Sequence, residues 1–170
     1  MTARPAREEA APYYFTYIDK VPEGDIRDIM RAQAADVIVF AGGISEESSG
    51  HRYAADKWSI REVLGHINDC ERLFVMRAFW FARGFDTPLP SFDQNVAMAA
   101  AGAHERTWES HVDEFKAQRA ATLAFFDALP VAAWDRRGLA SDNPFTVRAL
   151  AYMVPGHVVH HLDIVRERYL

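Results

Sequence analysis

The chain has 170 residues, a formal charge of −5 at pH 7, 49% hydrophobic residues and 25% charged residues. These values are typical of a soluble globular domain that buries its core without disulfides. The mild acidic excess and the lack of a long basic run argue against nucleic-acid binding, because phosphate recognition needs clustered lysine and arginine. We expect one domain over residues 1–170, with residues 1–12 as a flexible N-terminal segment.

Neither export nor membrane insertion is indicated. Cys70 is the single cysteine and cannot form an intramolecular disulfide, and its apolar helical context indicates a small buried side chain rather than a nucleophile. The first fifteen residues carry charges of both signs and no apolar core, unlike a secretory signal. No apolar run approaches the roughly 18–20 residues of a membrane span. The expected location is the cytoplasm, with no membrane partner.

Four long helices joined by loops are predicted, with no strand alternation of any length. The first begins after Asp25 as N-cap and ends at Gly42–Gly43. The second begins after Ser59, where Glu62 three residues later completes a capping-box pattern. Gly84 is a natural stop for this second helix.

The second half of the chain continues the helical pattern. The segment "FDTPLPSFDQN" (85–95) is expected to be a loop that forms a lid or pocket wall, because two prolines interrupt it. The third helix runs from about Thr107 to Leu129, and "DRRGLASDNPF" (135–145) is another loop. Thr146 caps the fourth helix, which continues to the C-terminus. This pattern predicts an all-α four-helix bundle, in which sites are built from inward-facing side chains.

Three of the seven histidines lie in "PGHVVHHLDIV" near the C-terminus. His157 and His161 are four residues apart, so their imidazoles share a helix face and can reach one metal ion. His160 is an alternative partner for His157, but its angular offset is larger, about 60° against about 40°. A third ligand is expected from another helix. His66 in "VLGHINDCERLF" is the best candidate, because it lies beside the apolar stripe of the second helix, between Val63 at i−3 and Cys70 at i+4. Such spacing also occurs in helices that bind no metal.

Pro155 and Gly156 stand just before His157. Either they bend a continuous helix and aim His157 toward the bundle axis, or the helix begins a turn later with Pro155 at its first position. The sequence leaves both alternatives open.

Other polar residues are assigned secondary roles. Asp93 in "PSFDQN" is a candidate catalytic residue of the pocket, although aspartate in a proline-rich loop more often caps a turn or a helix. Glu71 is rotated about 140° from His66, so we expect an ion pair at the surface or between helices. Three further histidines fall in polar contexts and are expected to be solvated: His51, His104 and His111.

Four segments resemble one family, in order and at matching separations. They are "YFTYIDKVPEGDI", "YAADKWSIREVLGHINDCERLF", "RAFWFARGFDTPLPSFDQN" and "GHVVHHLDIVRERYL". Over nearly its whole length the chain resembles the DinB superfamily of DinB/YfiT-like proteins. The resemblance implies an up-down-down-up four-helix bundle, often dimeric, with a divalent metal held by three histidines. Carried onto this sequence, these ligands are His66 of "GHINDCER" and His157 and His161 of "GHVVHH".

The resemblance implies more than one function. Some members of the family are similar to transferases that use low-molecular-weight thiols, and others to metal-dependent hydrolases. Three neutral histidines leave the charge of Zn(II), Ni(II) or Fe(II) uncompensated and coordination positions open, which suits activation of water or of a thiol. We expect a metal-dependent enzyme acting on a small molecule, with thiol S-transfer ahead of hydrolysis. The alternative is a non-catalytic metal-binding or stress-response protein.

The aromatic residues of the second helix bear on the oligomeric state. Phe79, Trp80 and Phe81 point in three directions around a helix, so one bundle core cannot cover them all. An exposed aromatic ridge would suit a homodimer interface, whereas covering loops are the alternative.

Overall fold

The computed structural model describes residues 3–170, which are mostly helical. Its helices and strands, in chain order, are α1 (Phe15–Ile18), α2 (Ile26–Gly42), α3 (Glu46–Ser49), α4 (Ile60–Ala82), α5 (Gln94–Ala100), α6 (Trp108–Asp127), β1 (Arg137–Ala140), β2 (Asn143–Thr146) and α7 (Val147–Arg168). The four long helices α2, α4, α6 and α7 form the frame. Within the described residues, no helix is both long and apolar enough to cross a bilayer.

Each long helix begins where the sequence predicts. The side chains of Asp25, Ser59, Thr107 and Thr146 accept hydrogen bonds from backbone N–H groups in the first turns of α2, α4, α6 and α7. At α4, a carboxylate oxygen of Glu62 accepts from the backbone N–H of Ser59, so the predicted capping box is formed. The four predicted helix starts are confirmed.

Contacts near the helix ends show the directions of α2, α4 and α6. Trp108, at the start of α6, donates its indole N–H to the carbonyl of Ala41 near the end of α2. These two helices are therefore antiparallel. Asn68, in the first half of α4, donates to the carbonyl of His111 in the first turn of α6, so α4 and α6 run in the same direction.

Helix α7 returns along α4 in the opposite direction. Tyr169, just after α7, donates its hydroxyl to the carbonyl of Trp58, just before α4. Helix α4 packs most extensively against α7, and α2 packs against α6 and α7. The long helices thus run up, down, down and up, as predicted.

A buried ion pair ties the four long helices together. Arg119 and Glu71 are 1% and 2% exposed, and their side chains approach to 2.9 Å between α6 and α4. The same guanidinium donates to the carbonyl of Met30 and to Oε1 of Gln33, both on α2. Gln33 in turn donates through Nε2 to the carbonyl of Pro155 on α7. Of the two roles considered for Glu71, the structure shows the interhelical one.

The segment 135–145, predicted to be a loop, contains the antiparallel hairpin β1–β2. Its turn holds Ser141 and Asp142 at φ of +51° and +58°. Leu89 exchanges backbone hydrogen bonds with Leu139 and Ser141, which fixes the preceding proline-rich loop to the hairpin. The prediction that the chain has no strands is wrong, because four-residue strands are too short to show an alternating pattern.

The N-terminal residues lie against the bundle. Residues 1 and 2 of the segment expected to be flexible are outside the described residues. Arg4 donates to the carbonyl of Ile18 at 2.9 Å, and the buried carboxylate of Glu9 accepts from the hydroxyl of Thr146 at 2.7 Å. These contacts hold the described part of the segment across the start of α7.

Candidate metal centre

Helix α4 presents a stripe of buried side chains to α7, and His66 belongs to it. His66, Cys70 and Phe74 follow one another at intervals of four residues, and they are 2%, 5% and 6% exposed. The rings of His66 and Phe74 both contact the ring of His157 on α7. The packing of the bundle therefore brings His66 to the C-terminal histidines.

Helix α7 carries His157 and His161 one turn apart, and it continues without a break through Pro155. The alternative in which the helix starts near Pro155 is wrong. A Cβ atom at Gly156 would lie 2.2 Å from the carbonyl oxygen of Tyr17, just before the end of α1. The missing side chain lets α1 approach the axis of α7, and the Tyr17 ring then lies 5.2 Å from the ring of His157.

The three predicted ligands converge. His66, His157 and His161 each offer a ring nitrogen, and these atoms all lie within 4.8 Å of one another. The Nε2 atoms of His157 and His161 are 3.0 Å apart. Two nitrogens bound at about 2.1 Å to one ion lie at most roughly 4.2 Å apart, so this pair fits a shared ion. Among residues 3–170, no cysteine, aspartate or glutamate joins the cluster.

Burial keeps these rings neutral. The loss of hydration, with a smaller contribution from neighbouring histidines, lowers the pKa of His66 to about 4 and that of His161 to about 3. The same cause lowers the pKa of His157 well below 6.5. A neutral imidazole has a free lone pair, so all three rings are available as ligands near neutral pH.

Aromatic side chains surround the cluster. The Trp58 ring is tilted against that of His66, with 4.9 Å between centroids. On the other side, Phe74 and Tyr17 contact the ring of His157 edge-on, at 5.6 and 5.2 Å. These rings exclude water from the buried sides of the imidazoles and restrict their orientation.

Cys70 lies beside His66, with 3.6 Å between Sγ and Nδ1. Burial raises the pKa of the thiol to about 12, so it stays protonated at neutral pH. Metal ligation and nucleophilic attack both need a thiolate. The small buried side chain predicted for this position is confirmed.

A cavity of about 260 Å³ reaches the cluster at His161, the least buried of the three histidines. A larger surface cavity of about 570 Å³ beside His51 is lined by none of them and does not lead to the cluster. The smaller cavity is lined by aromatic and polar side chains that include Tyr53, Lys57, Trp58, Asn95 and Tyr169.

Residues 29–165 match the sequence model of the DinB superfamily, and the match includes all three histidines. The chain belongs to the DinB superfamily. No curated protein matches the sequence. Among solved structures, this DinB-superfamily chain is similar to YfiT from Bacillus subtilis, with a TM-score of 0.65, 12% sequence identity, and coverage of 97% of this chain and 93% of that one. YfiT is described as a probable metal-dependent hydrolase with an unusual four-helix bundle topology, and at this identity the likeness shows the fold alone.

Asp93 of this DinB-superfamily chain is the N-cap of α5. Its Oδ1 accepts hydrogen bonds from the backbone N–H groups of Asn95 and Val96, and the residue is exposed. It does not line the cavity beside His161, whereas Asn95 does. The structure therefore places Asp93 in the second role considered from the sequence, that of a helix cap.

The histidines outside the cluster differ in burial. His51 and His104 are exposed, as predicted. The prediction for His111 is wrong, since this residue is 1% exposed and its Nε2 lies 2.9 Å from the carbonyl of Ala103. The ring packs over Gly65 of α4, where a Cβ atom would lie 3.6 Å from it. The polar neighbours of His111 in the sequence gave no sign of this contact.

Sequence reasoning missed Tyr17 and Trp58, which both contact the histidine rings. Tyr17 also contacts His160, which lies outside the cluster of three. Neither residue stands at a helical spacing from a histidine, so periodicity could not reveal them. Both lie in segments that carry the family resemblance, which was the one available signal.

Proposed function

We propose that this protein is a metal-dependent enzyme in which His66, His157 and His161 bind one divalent ion and act on a small molecule. The observation that carries the proposal is the convergence of three neutral imidazoles with no acidic side chain beside them in the described chain. A Zn(II), Ni(II) or Fe(II) ion held in this way keeps its full charge and lowers the pKa of a bound water or thiol.

Hydrolysis of a small ester or amide is the reaction that the cavity supports best. Its volume of about 260 Å³ is smaller than the roughly 300–1,000 Å³ of pockets that hold drug-sized ligands. Such a cavity suits one small substrate and water better than a substrate together with a thiol. The similarity to YfiT, itself described as a probable metal-dependent hydrolase, favours the same reaction. Thiol S-transfer stays a prediction from the family resemblance.

The side chains around the cluster have defined roles in this proposal. His161 is the ligand that faces the cavity, so a substrate approaches from its side of the cluster. Trp58 and Phe74 hold the rings of His66 and His157 and keep water away from them. Cys70 stays a neutral thiol and takes no part in the chemistry.

A non-catalytic ion that only joins α4 to α7 is the competing function. A structural zinc site is usually closed by four protein ligands, whereas catalytic sites keep a position open. The described residues supply three ligands and a cavity that leads to one of them. This arrangement favours the enzyme.

Hydrolysis of 4-nitrophenyl acetate by zinc-loaded protein tests the proposal, with His161→Ala as the variant and His160→Ala as the matched control. We expect hydrolysis by the wild type and the control, and its loss in His161→Ala. A metal-free wild type that stays folded supports the enzyme, since a structural ion predicts a collapse of the unfolding temperature. Activity that appears only when glutathione is added would instead support thiol transfer.

We also propose a homodimer. Met76 and Phe79 on α4 are both 41% exposed, and Phe85 just after the helix is 46% exposed. Phe81 is buried, so the predicted aromatic ridge is present only in part. Light scattering after size-exclusion chromatography measures the mass in solution, and the homodimer predicts twice the mass of one chain. The cytoplasmic location expected from the sequence stays a prediction.

A further inference from the structure

We infer that the cavity beside His161 binds small substrates that carry a single aromatic ring next to the group that reaches the histidines. This inference rests on the proposed metal centre and names the class of substrate for it. It is carried by the aromatic wall of the cavity and by its volume.

Three aromatic side chains from two separate parts of the chain form the wall. Tyr53 and Trp58 come from the segment before α4, and Tyr169 comes from the residue after α7. The rings of Tyr53 and Tyr169 meet edge-on at 4.8 Å, and the Tyr169 hydroxyl donates to the carbonyl of Trp58 at 2.7 Å. Aromatic side chains in fixed positions favour a flat apolar ligand, because rings gain from stacked and edge-to-face contacts.

The wall continues to the histidine cluster. The Trp58 ring lines the cavity and contacts the ring of His66 at 4.9 Å, while His161 lines the cavity directly. A ligand that lies along the aromatic wall therefore has one end beside two of the three histidines. The reacting group belongs at that end.

The volume matches a ligand of one ring with a short polar group. A cavity of about 150 Å³ holds a benzene molecule in other proteins. The volume of about 260 Å³ leaves room for a few more atoms beyond such a ring. Two fused rings with substituents, or a peptide, would extend into solvent.

The lining also carries polar groups. The ammonium group of Lys57 lies 2.8 Å from the carboxylate of Asp56, so these two charges compensate each other. The guanidinium group of Arg168 lies over the Tyr53 ring, 5.6 Å from its centroid. The carboxamide of Asn95 offers both a donor and an acceptor. A short polar substituent beside the ring of a ligand therefore has hydrogen-bonding partners in the lining.

Two hydroxamates provide the test, because they share a metal-binding group and differ only in what it carries. Benzohydroxamate has a phenyl ring where acetohydroxamate has a methyl group. Calorimetric titration of zinc-loaded wild type should give benzohydroxamate roughly tenfold tighter binding or more, from burial of the ring. In Tyr53→Leu this advantage should fall several-fold, while acetohydroxamate affinity stays unchanged.

Two further variants keep the result interpretable. Tyr53→Phe retains the ring and should keep the tighter binding of benzohydroxamate. This variant shows whether a loss in Tyr53→Leu comes from the missing ring or from a folding defect. Phe40→Leu removes a half-buried aromatic ring of α2 that does not line the cavity, so it is the matched control. Both variants should bind the two hydroxamates as the wild type does.

The failures of the two proposals are distinguishable. Equal affinities of the two hydroxamates for the wild type would overturn the inference and leave the metal centre intact. An advantage of benzohydroxamate that survives in Tyr53→Leu would also overturn it, because the ring would then lie elsewhere. No zinc uptake, with no acetohydroxamate binding, would overturn the proposed function itself.

Discussion

Replacement of Gly156 by alanine tests how α1 and α7 create the histidine site. The new Cβ atom would lie 2.2 Å from the carbonyl oxygen of Tyr17 and 2.6 Å from its carbonyl carbon. Real Cβ atoms almost never approach another atom within 3.0 Å, so α1 has to move away from α7 by about 0.8 Å. The obstacle is backbone, which cannot rotate away as the end of a flexible side chain can.

The expected loss of stability is the balance of two effects. Alanine in place of glycine favours the helix itself by roughly 1 kcal/mol. Overpacking of a filled interior costs about 1–3 kcal/mol, and the upper part of that range applies because Phe15 and Ile18 of α1, 5% and 0% exposed, must shift as well. We therefore expect Gly156→Ala to lower the free energy of unfolding by about 1–2 kcal/mol.

Gly65→Ala is the matched control. Gly65 also lies inside a long helix next to a proposed ligand, but a Cβ atom there would meet nothing closer than 3.6 Å. This variant should be neutral or stabilised by up to roughly 1 kcal/mol. Urea denaturation of the metal-free proteins measures both effects. A Gly156→Ala protein as stable as Gly65→Ala would refute the close approach of α1 to α7.

Three further predictions concern charge. Arg119→Met leaves the buried carboxylate of Glu71 unpaired and should lower the free energy of unfolding by about 3–5 kcal/mol, whereas adding Glu71→Leu should restore most of it. In metal-free protein, stability should fall as the pH drops from 6.5 toward 4, by up to roughly 1.4 kcal/mol per pH unit for each histidine of the cluster. The sign follows because unfolded histidines take up protons in this window while the buried rings, whose pKa values are lowered, do not; a flat profile would contradict their burial. Asp93→Asn keeps the cap of α5 and should leave the rate of hydrolysis within twofold of wild type. A hundredfold loss would instead support Asp93 as a general acid or base.

The long helices could be predicted because their signals are local. Ser59 and Glu62 cap α4 through contacts within one turn, so four residues of sequence contain the whole interaction. The hairpin β1–β2 could not be predicted in the same way. Its strands have four residues each, and its position depends on hydrogen bonds to Leu89 in a distant loop.

The histidine cluster was predictable in part for the same reason. The spacing of His157 and His161 is a property of one helix. The apolar stripe of the second helix made His66 the best third candidate, and the family resemblance gave the same residue. Gly156 shows what the sequence could not supply, because its role depends on the backbone of Tyr17, which is remote in the chain. The sequence suggested only a bend of the helix at Pro155 and Gly156, whereas the structure shows Gly156 as a packing position within a continuous helix.

Elemental analysis of protein purified without a metal-chelating tag tests the central claim most directly. Wild type, His66→Ala and His160→Ala should be compared, since His160 neighbours the cluster without joining it. The proposed centre predicts about one divalent ion per chain in the wild type and the His160→Ala control, and none in His66→Ala. No bound metal in the wild type, with none taken up on titration with zinc, nickel or iron, would contradict it.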